Sequence, residues 1–313
     1  MLIEGRDRGL DQQLNYLPGD LHCPEHMLQS VEARHFCRIV EGPHHHVEGL
    51  CFDRNGDLYF ACIFDGSIRK INMQTKELQM VYRNAEWAPT AVKIHRDGRL
   101  FITSIRGKMG IYAMESDGSN VTPIVPGWCV DDMVFDSKGG FYFTHYVGNV
   151  INPTGGVYYV DPAVKSITPI LQKLAGPNGV ALSTNEEILW ITETGGGKLY
   201  RLDLVHPSHC SVPYRFTGFL GPDSCSIDED DNLYVAMVLQ GQVMVFNRYG
   251  YPIARITLPG RGAGRNLHSS HPMVRPDAKE LYIISGDDNF DDGSNIWVAP
   301  SFAKGNKKSY QFL

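Results

Sequence analysis

One phrase recurs six times along this chain. EGLCFDRNGDLYFA, starting at Glu48, returns as TAVKIHRDGRLFIT from Thr90, DDMVFDSKGGFYFT from Asp131 and, with one extra residue, NGVALSTNEEILWIT from Asn178. DSCSIDEDDNLYVA from Asp223 and HPMVRPDAKELYII from His271 complete the set. Successive starts lie 42, 41, 47, 45 and 48 residues apart, the period of a four-stranded propeller blade. Each copy is an apolar run, a turn such as Asp53-Arg54-Asn55-Gly56, and a second apolar run, which together read as a β-hairpin. A glycine-containing turn and a third strand follow, as in SIRKIN (Ser67 to Asn72), GGVYYVD (Gly155 to Asp161), KLYRLD (Lys198 to Asp203) and QVMVFN (Gln242 to Asn247).

A unit of this size cannot bury both of its faces alone, so six of them stack radially. The expected fold is all-β: a six-bladed β-propeller with blades starting near residues 48, 90, 131, 178, 223 and 271, one domain over residues 1–313. Tandem immunoglobulin-like domains would repeat only every hundred residues or so. The strand-like ARHFCRIV (Ala33 to Val40) is expected to complete the last sheet beside NIWVAP (Asn295 to Pro300), and residues 1 to about 30 to wrap the outside.

Blade symmetry turns register into geometry, because equivalent positions form a ring about the channel. The first residues of the six repeats are Glu48, Thr90, Asp131, Asn178, Asp223 and His271, so four of them bring carboxylate or amide oxygens to one mouth. A polar residue before a strand is ordinarily a cap or a turn former, but four in one register call for another cause. Converging carboxylates repel and raise one another's pKa values unless a cation neutralises them. Oxygen ligands of this kind suit one divalent cation, calcium first, with magnesium, manganese or zinc left open.

These residues and passages also carry a resemblance. DDMVFDSKGGFYFT, NPTGGVYYV, PDSCSIDEDDNLYVAM and FNRYGYPI, within a likeness that runs from about Val47 to the C-terminus, resemble the family of senescence marker protein (regucalcin), gluconolactonase and the luciferin-regenerating enzyme. Within it the chain is most similar to the drug-responsive lactonase branch. The resemblance implies a six-bladed propeller with a divalent metal, usually calcium, in its channel. It places metal ligation on Glu48 in VEGL, Asn178 in GPNG and Asp223 in GPDS, with Asp223 also moving a proton, and brings in Asp131 and Ser224. The branch's second, structural calcium is not expected here, because SIRGKMGIYA (Ser104 to Ala113) and IVPGWCVDD (Ile124 to Asp132) lack its oxygen ligands. His145 stands where the resemblance would put an acidic residue.

The function so implied is calcium-dependent hydrolysis of a lactone. The metal would polarise the carbonyl and Asp223 would act in proton transfer. A metal-dependent lyase, isomerase or cyclase and a non-catalytic ligand-binding propeller stay open as alternatives. His271, Thr90, His145 and Arg106 are the expected substrate-lining residues, with Phe64, Tyr146 and Met237 as further candidates near the rim.

Charge and cysteines narrow the setting. A net charge of −6 with no Lys/Arg-rich run argues against nucleic acid or an anionic membrane and for a small-molecule partner. The seven cysteines are scattered and contain no C-x-x-C pair, which fits free thiols. With no apolar run of signal-peptide or membrane-spanning length, the expected compartment is the cytoplasm. Three motif-like strings fail on their own chemistry. GDDNFDDG (Gly286 to Gly293) has Asp292 where a calcium loop needs glycine, and GRGAGR (Gly260 to Arg265) lacks a strand-to-helix setting. In HHH, His44 and His46 share one face of an extended strand and His45 the other, so the three cannot grasp one ion. His44 and His45 read as a lead-in to the first blade, and His46 as a neighbour of Glu48 rather than a ligand.

Overall fold

The structure, a computed structural model, describes residues 28–42, 46–218, 220–286 and 293–306. Residues 1–27, His44, His45 and most of the GDDNFDDG string lie outside the described residues. Six antiparallel sheets follow one another along the chain. Their innermost strands are Val47–Phe52, Trp87–Ile94, Val130–Phe135, Pro177–Leu182, Pro222–Ile227 and His268–Val274.

The repeat phrase makes the first two strands of each blade, and its acidic turn residue closes the hairpin between them. Asp53 Oδ1 accepts the N–H groups of Asn55 and Asp57 at 2.8 and 3.0 Å. Asp136 does the same for Lys138 and Gly140, and Asp228 for Asp230 and Asn232. These side chains satisfy backbone donors that the turn withdraws from the ladder. Between each pair of adjacent blades lies one buried apolar cluster, six in all, such as Phe101, Phe135, Phe141 and Phe143 between the second and third blades. The core is therefore a ring of six wedges, and the hydrophobic stabilisation of each blade depends on its neighbours.

Closure uses the two ends of the chain. Arg34–Val40 pairs antiparallel with Ser294–Pro300 and so supplies the outer strand of the sixth blade. Just before it, Gln29–Glu32 adds a fifth, parallel strand to the outer edge of the fifth blade beside Pro252–Thr257. That strand was not expected, because four mostly exposed residues without alternation carry no strand signal. The helical element among the described residues is one short 3-10 turn, Arg261–Ala263, inside the GRGAGR string. Among the described residues no helix is long and apolar enough to cross a membrane. The six described cysteines are all free.

The ring residues do not begin their strands. Glu48, Asp131, Asn178 and Asp223 come second, and Thr90 and His271 fourth, because the chain pairs with its neighbour before reaching the ring. At each of these places the pairing register slips, between Glu48 and Cys51 in the first blade and at the equivalent position in the other five. A bulge re-aims a side chain out of the ladder, and here it does so six times toward the axis.

Two glycines make room at the bulges. A Cβ on Gly49, whose φ is +68°, would stand 2.6 Å from Ala91 Cα, and one on Gly179 would stand 2.7 Å from Cys225 N. The obstacle in both cases is the backbone of the next blade, which cannot swing aside. Gly49→Ala is expected to destabilise the fold by roughly 2–4 kcal/mol through overpacking and the left-handed φ, read as a lower denaturation midpoint. Gly262→Ala, where nothing lies within 4 Å, should leave the midpoint unchanged.

Candidate metal centre and channel mouth

The bulges gather the polar ends of the inner strands in a channel from which water is nearly excluded. Glu48, Asp131, Asn178 and Asp223 are each 5% exposed or less, Ser224 is buried beside Asp223, and His271 is fully buried. Ligand atoms of His46, Glu48 and Asp223 all lie within 4.8 Å of one another. His46 Nε2 is 3.5 Å from Glu48 Oε1, and His271 Nδ1 is 3.9 Å from Glu48 Oε2. His46 thus stands at the centre, although the sequence placed it only as a neighbour. Its signal is the two-residue spacing to Glu48, which puts both side chains on one face of an extended segment.

The electrostatics are those of an unneutralised acid cluster. Burial, then the charge of Asp131, pushes the Glu48 carboxyl well above its usual range, against the Gly49 N–H that donates to it at 3.2 Å. Burial and then Asp223 raise Asp131. Burial and then Glu48 raise Asp223, opposed by His46 and by the Asn178 side chain that hydrogen-bonds to it. A fourth carboxylate, Asp132, next to Asp131 in the chain, is fully buried, and Lys93 Nζ meets its Oδ1 at 3.0 Å. His271 is pushed well below its usual range by burial and then by Lys93. Lys93 is committed to Asp132, and His46 is the basic side chain beside Glu48 and Asp223.

Asn178 Oδ1 is buried without a hydrogen-bond partner, as are both ring nitrogens of His271. A buried amide oxygen with no donor loses its full desolvation cost, and a cation held among Asn178, Glu48 and Asp223 removes that cost together with the carboxylate repulsion. The donor set, carboxylate and amide oxygens with an imidazole at the edge, fits a hard divalent cation.

Threonines of the second strands brace this ring. Thr103 Oγ1 donates to the Asp131 carbonyl, Thr144 Oγ1 to that of Asn178 and Thr192 Oγ1 to that of Asp223, each at 2.7 Å. In return Thr144 accepts the Asp132 N–H at 3.0 Å and Thr192 the Gly179 N–H at 2.7 Å. Each hydroxyl ties its own bulge to the ring residue of the next blade. These threonines end three of the six repeat phrases, and that shared position was their sequence signal. Thr90 belongs to the same bracing: its hydroxyl donates to the Asp131 carbonyl at 2.8 Å and lies 2.9 Å from Thr103 Oγ1.

The other rim candidates are spread apart. Arg106 is exposed, its guanidinium over the ring of Phe64 at 5.8 Å, and His46 meets the same ring edge-on. His145 packs against Trp128, its Nδ1 3.1 Å from the Cys129 carbonyl. Met237 is buried in the core between the fourth and fifth blades. Tyr146 is half-buried, and its phenol is raised by burial and then by the charges of Asp131 and Asp223. It also lines a groove of about 540 Å³ with Asn149, Thr194, Phe216 and several glycines; among the described residues no charged one lines it.

The chain belongs to a known family: the SMP-30/Gluconolactonase/LRE-like region matches residues 112–287. The lactonase drp35 of Staphylococcus aureus (strain MRSA252) is 48% identical over 279 residues, covering 85% of this chain and 86% of that protein. The lactonase drp35 of Staphylococcus saprophyticus is also 48% identical, with the same coverage. Among solved structures, regucalcin from Agrobacterium tumefaciens, a calcium-binding protein, superposes with a TM-score of 0.71 at 17% identity, over 88% of this chain and 97% of that one. That likeness is one of fold.

Proposed function

We propose that this protein is a calcium-dependent lactonase, hydrolysing a cyclic ester at the mouth of its channel. The observation that carries the reading is the buried cluster of Glu48, Asp131, Asn178 and Asp223, with three raised carboxyls and an amide oxygen lacking a donor. The 48% identity to a staphylococcal lactonase supports the reaction class.

Glu48, Asn178 and Asp223 hold the cation, and Asp131 and Ser224 complete its surroundings. A divalent cation bound there supplies a Lewis acid for the ester carbonyl and lowers the pKa of nearby water. Asp223 takes the proton from the attacking water and returns it to the alkoxide that leaves when the ring opens. His46 abuts Glu48 and keeps that carboxylate oriented. The uncharged groove beside Tyr146 takes the non-reacting part of the ester, and its lack of charge favours a neutral substrate. His271, fully buried with its Nδ1 3.9 Å from Glu48 Oε2, would face the centre, whereas Arg106 and His145 would act only on the approach to it.

A panel of aliphatic and aromatic lactones, assayed after chelation and again after calcium is restored, tests the reading. Turnover that disappears and returns supports it; no chelator-sensitive turnover of any lactone contradicts it. The threonine bracing adds a finer expectation. Thr192→Val should weaken calcium binding by roughly tenfold or more, as loss of a group that orients ligands does, while Thr192→Ser, which keeps the hydroxyl, should bind nearly as the parent does. Equal affinities in calorimetry would remove the threonines from the account.

A further inference from the structure

The loop Asp203-Leu204-Val205-His206-Pro207-Ser208-His209 joins the third strand of the fourth blade to its outer strand, Cys210–Arg215. Lys198 pairs with Glu193 near the channel mouth and Asp203 with Ile188 five residues on, so the loop sits on the face opposite the mouth. Ligand atoms of Asp203, His206 and His209 lie within 4.8 Å of one another. None of these residues has a part in the reaction proposed above.

The backbone already holds the three side chains together. Asp203 Oδ1 accepts the N–H groups of Val205 and His206 at 2.9 and 2.8 Å, which leaves Oδ2 turned to His206 Nδ1 at 3.6 Å. His209 N–H donates to the His206 carbonyl at 2.8 Å, and Asp203 N–H to the His209 carbonyl at 3.2 Å. Leu204 N–H ties the loop to Glu187 at 2.7 Å. The imidazoles lie nearly parallel, with centroids 5.4 Å apart. Tetrahedral zinc with ligands near 2.0–2.1 Å separates its donor atoms by about 3.3 Å. The Asp203–His206 pair is already close to that edge, and His209 needs only a side-chain adjustment. Two imidazoles and one carboxylate suit zinc or its transition-metal neighbours and not calcium, which takes oxygen ligands.

We propose that Asp203, His206 and His209 form a second metal site, a surface site for a zinc-class ion with one coordination position left to water, which staples the outer edge of the fourth blade. It is independent of the channel centre in both position and ligand chemistry.

Zinc chloride is titrated calorimetrically into the full chain with calcium in excess, and melting is followed with and without zinc. The parent is expected to bind one zinc that His206→Ala and His209→Ala each weaken by roughly tenfold or more, and to melt higher with zinc by an increment that both variants lack. Both variants should keep the parent's melting temperature without zinc, since these imidazoles lie on the surface. Zinc isotherms and melting increments that are the same in the parent and both variants would overturn the proposal. So would zinc binding that calcium abolishes, since the ion would then belong to the channel.

Discussion

Asp223→Asn is expected to lower lactone turnover by about 10²–10⁴-fold, the range that a positioned general base contributes, with a much smaller change in KM. Asparagine keeps the size and one oxygen of aspartate but cannot accept a proton. The same substitution should act on stability in the opposite direction. In the ion-free protein Asp223 is buried and raised in pKa, and its charge raises Asp131 in turn. Removing it relieves a repulsion, so the chelated variant should melt no lower than the chelated parent. Measured with calcium at saturation, activity that collapses while ion-free stability holds separates a chemical role from a structural one. Turnover within a few-fold of the parent would remove Asp223 from proton transfer.

The second large effect is on pH and stability. Burial raises Glu48, Asp131 and Asp223 in the ion-free fold, whereas in the unfolded chain these groups titrate near 4. Above that value the folded state holds protons that the unfolded state has released, so stability falls as pH rises from about 4 through the raised values. Each unit by which one carboxyl is raised corresponds to about 1.4 kcal/mol. A bound cation takes the place of those protons, so its binding releases them and strengthens with pH. The increment in Tm on adding calcium to the chelated protein should therefore widen steadily from pH 5 to pH 8. An increment that stays constant or narrows would mean that the carboxyls are not where the ion binds.

How much of this was legible follows from what repeats. The propeller could be read because hairpin, turn and third strand recur at blade spacing, and the ring of Glu48, Asp131, Asn178 and Asp223 because the bulge falls at one register in every blade. What does not repeat was harder to see. His46 lies before the first repeat. The Lys93–Asp132 ion pair joins two blades through side chains whose partners the register does not specify. The groove beside Tyr146 is built from loops of the third and fourth blades and the connections that follow them, whose lengths vary as the strands do not. The bracing threonines sat at the end of the quoted phrases, but only the packing of one blade on the next reveals that each hydroxyl points across the gap to a neighbour's carbonyl. Thr90, expected at the substrate, has its hydroxyl turned to that same bracing. The trio at Asp203 could have been found from its spacing, an aspartate and two histidines within seven residues.

The central claim, that an ion held by Glu48, Asn178 and Asp223 carries lactone hydrolysis, is tested most directly by rebuilding the site one ion at a time. Chelator-stripped protein is titrated with calcium while turnover of a lactone is recorded, for the parent and for Glu48→Gln. The parent should be inactive without calcium and regain full turnover at one equivalent, with Glu48→Gln needing far more calcium to reach any. Full turnover in the stripped protein, or identical titrations of parent and variant, would contradict it.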